Sequence, residues 1–192
     1  MHAFCRHSPQ LSRKNRGVTL TEIILVLAIA MVLLRIAVPR YDSLVNDGRL
    51  TAVTNDLIGA VHLARTEAVK RSINVSVCAG NADLSACGNT ASWNNGWLVL
   101  DGNGEILLRR APLEDVFTMR DSAAAAPPGN ITFNSMGFTP LERAIEVCGP
   151  NGEEILAKAV RVTRPGEVRM AGDTNGNNIP EPLRGGADLV CS

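Results

Sequence analysis

One carboxylate stands where an apolar segment would least accept it. Between Val18 and Val38 the only polar side chains are Thr19, Thr21, Glu22 and Arg35, and Ile23–Leu34 has none. An unpaired carboxylate near the start of a membrane span costs up to ~3 kcal/mol even on the lenient insertion scale. Glu22 therefore calls for a partner, and charge pairing is the chemistry it points to. The other reactive types are sparse. His62 is the only histidine after residue 7, and beside apolar helix positions a structural role is expected in preference to a general base. No HExxH, GxSxG or phosphate-cradling loop is present. Trp93 and Trp97 flank a turn and are expected to anchor core or loop rather than to stack on a base.

Beyond Cys5, four cysteines remain: Cys78, Cys87, Cys148 and Cys191. An even number in an exported domain favours disulfides. Of three possible connectivities, Cys78–Cys87 with Cys148–Cys191 is preferred. The first closes a Gly/Asn-rich segment, and the second ties down a loose tail. Zinc is the rival, but no CxxC or Cys/His spacing supports it. Two Asp/Asn/Gly runs invite calcium: 101–105, and 173–178 with oxygen side chains at Asp173, Asn175 and Asn177. The second run has Asn178 at its sixth place and Arg184 at its twelfth, which departs from a calcium loop. Both are expected to be turns, and no metal or cofactor is assigned.

These residues need elements to hold them. The whole chain is formally neutral, yet Arg6, Arg13, Lys14 and Arg16 put +4 into residues 1–16, leaving 15 bases against 19 acids beyond them. A basic head, an apolar run and an acidic body describe an exported or membrane-anchored protein. The run is just long enough to span a bilayer, with Arg35 placed to snorkel. The basic flank predicts a cytoplasmic N-terminus and an exported body. A secretory signal peptide fits poorly, because the core is long and Ile36-Ala37-Val38-Pro39-Arg40 is a poor cleavage site. An ordinary anchor leaves Glu22 unexplained.

Further on, Leu50, Val53, Leu57, Val61, Ala64 and Ala68 step by three and four along one helical face. A helix from Val18 to Arg71 would be about 80 Å long. Short β-branched or Leu-rich segments follow at 74–79, 96–100, 105–109, 130–134, 145–148, 159–163 and 168–171, separated by Gly, Pro and Asn turns. Residues 123–129 and 175–186 read as loops. The layout is α+β: one long helix packed on a face of antiparallel sheet. Near-zero total charge argues against a dedicated polybasic nucleic-acid binder.

Arg16-Gly17-Val18-Thr19-Leu20-Thr21-Glu22, followed by the apolar stretch, resembles the class III leader of type IV prepilins and pseudopilins. The resemblance implies cleavage between Gly17 and Val18 by prepilin peptidase and methylation of the new amino terminus at Val18. Val18 replaces the usual Phe or Met. Glu22 falls at the family's fifth mature position, whose implied partner is the amino terminus of a neighbouring subunit in the fibre. Pro39 lies where pilins carry a helix-kinking proline. The implied organisation is a cleaved leader (1–17), a transmembrane or fibre-core helix (18–38), an amphipathic helical half (39–72) and a β-rich pilin domain with a tied tail (73–192). The implied location is the inner membrane with a periplasmic body, then the fibre. Other pilins or pseudopilins are the implied partners.

The body is similar to the FimT/GspH-like branch of pilins. The stretches that carry this likeness are Asn55–Arg71, Val75-Ser76-Val77-Cys78, Ser92–Leu100 and Ile131–Gly137. Some minor pilins of that type take up DNA through a Gly-Arg-x-Arg motif, which aligns with Gly166-Glu167-Val168-Arg169. Arg169 is kept, but Glu167 replaces the first arginine and would repel phosphate. Arg161, Arg164, Lys158 and Arg143 are the bases that could compensate. The resulting expectation is a structural assembly subunit and not an enzyme: a minor pilin of a type IV pilus, or alternatively pseudopilin H of a type II secretion system. A DNA receptor on a competence pilus is the third possibility.

Overall fold

The long helix starts on a threonine hydroxyl. In a computed structural model of the chain, α1 runs from Leu20 to Arg71, and the Glu22 N–H donates to Thr19 Oγ1 at 3.3 Å. The structure describes residues 17–88, 90–113, 117–122, 129–149, 157–177, 179–183 and 186–191, without the side chains at 36–40 and 42. Leader residues 1–16, the Pro39 side chain, positions 123–128 of the Ala/Pro loop, Asn178 and Arg184 lie outside the described residues.

The chain divides into two compact units, Met1–Asp42 and Ser43–Ser192. In the first, the described helix is apolar and exposed, including Ile23, Ile24, Leu25, Val32 and Leu33. Among the described residues no helix is long and apolar enough to cross a membrane; the side chains described for this run end at Arg35.

In the second unit, α1 buries the stripe read from its periodicity. Leu50, Leu57, Val61, Ala64 and Ala68 are each at most 1% exposed, and Val53 9%. Lys70 and Arg71 lie in the last turn, where cations complement the helix dipole. Both also bond Glu67, at 3.3 and 2.6 Å. The helix stops because Ser72 turns left-handed, with φ 55°. The Ile73 N–H donates to Ala68 O and the Ser72 N–H to Val69 O, a paired C-terminal cap. A left-handed conformation strains a residue with a Cβ. Ser72→Gly is therefore expected to raise stability by about 0.5–1 kcal/mol, read as a higher urea midpoint; a lower midpoint would contradict this account of the cap.

The described strands form two sheets, where the sequence pattern suggested one. The first has the order β3-β2-β1-β5, built from β1 (Val75–Ala79), β2 (Trp97–Asp101), β3 (Ile106–Arg110) and β5 (Asn130–Phe133). The second has the order β4-β6-β7-β8, built from β4 (Thr118–Asp121), β6 (Arg143–Cys148), β7 (Lys158–Val162) and β8 (Val168–Met170). All pairings are antiparallel. Both sheets turn a face to α1. Val77, Trp97, Val99, Ile131 and Phe133 from the first meet Met119, Ile145, Val147, Val160 and Val162 from the second in one core. Gly96 opens β2 at φ 89°, where a Cβ would come within 2.1 Å of Arg110 O, so only glycine fits this turn.

Strand β6 is buried along its whole length. One face meets the core under α1. The other meets the chain's C-terminal tail, where Leu189, Ile179 and Cys191 pack against Cys148, Ala157 and Ala159. The tail is thus a cover for the outer face of the second sheet.

Candidate functional site

Thr19 and Glu22 sit at the helix start. The Glu22 side chain and its apolar neighbours are exposed, so its carboxylate is open to a partner from outside the chain. Gly17, Val18 and Thr19 precede α1 and are non-helical, and Val18 is 67% exposed.

The two disulfides join Cys78 to Cys87 and Cys148 to Cys191, with Cα–Cα distances of 5.6 and 5.8 Å. Each fits ordinary disulfide geometry. The first closes the turn after β1, in which Asn81 Oδ1 accepts from the Ser85 and Ala86 N–H groups. The second fastens the tail to β6.

The bases considered for DNA do not form an open patch. Arg143 is only 2% exposed and donates to Asp121 at 2.8 Å. As a phosphate ligand it is corrected by this burial. Lys158 pairs with Asp47 at 2.9 Å and also bonds the Thr51 hydroxyl, fastening β7 to α1. Arg161 pairs with Glu142 at 3.5 Å. Arg169 donates to Glu167, the residue that interrupts the Gly-Arg-x-Arg pattern. That hydrogen bond holds the Glu167 carboxyl below its usual range and raises the Arg169 guanidinium. A carboxyl with a depressed folded value is ionised at neutral pH, so the pair stands there and is lost only on acidification through the carboxyl range. Arg164 is exposed on the turn before Gly166.

The turn readings of the Asp/Asn runs have a direct basis. Asp101 Oδ1 accepts from the Asn103 and Glu105 N–H groups. Asp173 Oδ1 accepts from Asn175 and Gly176, while the Asn175 and Asn177 amides donate to Asp188. Among the described residues no three His, Cys, Asp or Glu side chains are grouped to hold a metal ion. His62 is exposed, lining an open hollow with Arg65, Thr66, Val69 and Lys70. Trp93 and Trp97 are fully buried in the core.

Sequence reasoning missed the polar seam in the second sheet. Asp121 Oδ2 accepts from Arg143 Nη1 and from the Gly129 N–H, and Gly129 O accepts from Ala79 on β1. The pair therefore sits where the two sheets meet. On the other face, Arg120 donates to Glu146 at 2.7 Å and also to Val190 O of the tail. Neither acid–base pair is close in sequence, and that distance hid them.

In its described residues the chain is one long helix with an exposed apolar first half, whose second half packs on antiparallel sheets. The chain belongs to the family of the type II transport protein GspH, whose model matches residues 53–166. Among solved structures it is similar to the type IV minor pilin FimU of Pseudomonas aeruginosa. The identity is 18%, covering 65% of this chain and 90% of that one, with a TM-score of 0.52. It is also similar to the minor pseudopilin EpsH of the Vibrio cholerae type 2 secretion system, at 13% identity over 62% of this chain and 90-odd per cent of the other (94%), with a TM-score of 0.45. No curated protein matches.

Proposed function

We propose that this minor pilin-type subunit is made as a prepilin and cleaved between Gly17 and Val18. It is methylated at Val18, held in the inner membrane by 18–38, then drawn into a type IV pilus. The observation that supports this most is the exposed apolar helix carrying Glu22 at its start. Helices of this kind gain by packing side by side, and a carboxylate among them is tolerable only when paired. Glu22 then sets register by meeting the amino terminus of a neighbour. Prepilin peptidase and other pilins are the partners, and the role is structural, without catalysis. Pro39 is assigned to a kink between the membrane half and the body.

The second reading, a pseudopilin of a type II secretion system, is favoured by the description of the matching family. Deletion in the source organism, scored for surface pili and exported proteins, separates the two. Loss of pili with intact secretion supports the pilus; loss of secretion alone supports the pseudopilus. The DNA-receptor reading gains nothing from the geometry, because Arg143, Lys158, Arg161 and Arg169 all face acids. Glu22→Ala is expected to leave membrane insertion unchanged while abolishing incorporation into sheared fibres. Normal incorporation of that variant would sink the charge-pair account.

A further inference from the structure

The helix begins two residues beyond the bond assigned to leader removal, and the residue that fixes its start is Thr19. Its hydroxyl oxygen accepts the Glu22 N–H at 3.3 Å, and its carbonyl accepts the first ladder bond, from the Ile23 N–H at 3.2 Å. A side-chain acceptor three residues before its donor is the geometry of an N-cap, and Thr-x-x-Glu is the sequence form of a capping box. Gly17, Val18 and Thr19 are all non-helical, and beyond its chain neighbours no atom of the described residues lies within 4 Å of a Cβ placed on Gly17.

We propose that Thr19 is a positioning residue for leader removal: by capping α1 it holds the Gly17–Val18 peptide in exposed, non-helical chain where an endopeptidase can reach it. This rests on the cleavage reading above. An endopeptidase needs the scissile carbonyl free for attack. Were the helix to start one turn earlier, the Gly17 carbonyl would accept the Thr21 N–H and be drawn into the ladder. Asn15 is the next residue upstream whose side chain can accept as a helix cap. Losing the Thr19 cap therefore gives the helix a reason to start there, with the scissile bond in its first turn. Gly17 opposes that extension, being a poor helix former. Thr19 and Gly17 thus act together to end the leader where the helix begins. Glu22 gains a second role as the third residue of the cap, next to the positive end of the helix dipole.

The test uses the full chain in nanodiscs with purified prepilin peptidase from the same organism, following leader release by mass spectrometry. Thr19→Val, which keeps the shape and removes the acceptor, is expected to slow release about five- to tenfold. Thr19→Ser and Thr19→Asp restore an acceptor and should stay within about twofold of wild type. In the uncleaved chain, hydrogen exchange at Val18 and Thr19 should slow in Thr19→Val alone. Wild-type rates for Thr19→Val overturn the inference. So does slow release of Thr19→Asp, which would mean the enzyme reads the threonine itself, and so does unchanged exchange. If wild-type chain is not cut between Gly17 and Val18, the cleavage reading falls and takes this inference with it. Cleavage of wild type with indifference to Thr19 removes only the inference.

Discussion

Asp121→Ala is expected to destabilise the body of the protein by about 3–5 kcal/mol, most of the stability a small domain has. The reason lies in what it strands. Arg143 and Asp121 have side chains 3% and 0% exposed, 2.8 Å apart. A guanidinium cannot shed its proton, so removing this carboxylate leaves it charged and almost wholly buried without its 2.8 Å counter-charge. The same substitution removes the acceptor of the Gly129 N–H, loosening the point where β5 begins and where Gly129 O bonds β1. Urea unfolding of residues 43–192 would measure the loss. The pair itself need not be a large source of stability, because desolvation offsets much of its attraction. Replacing both partners together, as Asp121→Leu with Arg143→Met, should therefore recover a large part of what Asp121→Ala loses. A single-variant loss under about 1 kcal/mol would show that water or another acid already serves Arg143.

How much of this was legible in the sequence varies by element. The α1 stripe from Leu50 to Ala68 was, because a step of three and four needs no knowledge of the partner. Strands such as Val75–Ala79 and Lys158–Val162 announced themselves by β-branched residues alternating with polar ones. Strand β4, with the sequence Thr-Met-Arg-Asp, did not. It has one β-branched residue, and what makes it a strand is its pairing with β6 through Arg120 opposite Glu146 and Asp121 opposite Ile145. Missing it hid the second sheet, since β4 is one of its edges. It also made Arg143 look like a surface base when its acid lay in the unrecognised strand. The helix start shows the reverse case. Glu22 stood out by being charged among apolar residues, while the Thr19 hydroxyl beside it is an ordinary feature of such a run until its hydrogen bond is seen.

The tail carried no period at all, and its role emerges only in three dimensions, which sets up the second large effect. Cys148→Ser with Cys191→Ser is expected to cost about 4 kcal/mol, against about 2.5 kcal/mol for removing Cys78–Cys87. The difference follows from loop length: 43 residues separate the first pair and 9 the second, and the closure entropy taken from the unfolded chain grows with the logarithm of that number. The two losses should also differ in kind. The Cys78–Cys87 turn is held by its own hydrogen bonds through Asn81, so its opening stays local. The described holds of the tail on the second sheet are Leu189 in the small cluster with Cys148, Ala157 and Ala159 and the Arg120 bond to Val190 O, whereas the Leu189 N–H to Pro180 O and the Asn175 and Asn177 amides to Asp188 join the tail to itself. Without the disulfide these must hold the tail against its full chain entropy. The variant should therefore become cleavable by protease between Gly172 and Leu189 under conditions where β6 and β7 stay protected from hydrogen exchange. Protection that survives in the tail, or a loss smaller than that for Cys78–Cys87, would mean that packing of Leu189 and not the covalent tie keeps the second sheet covered.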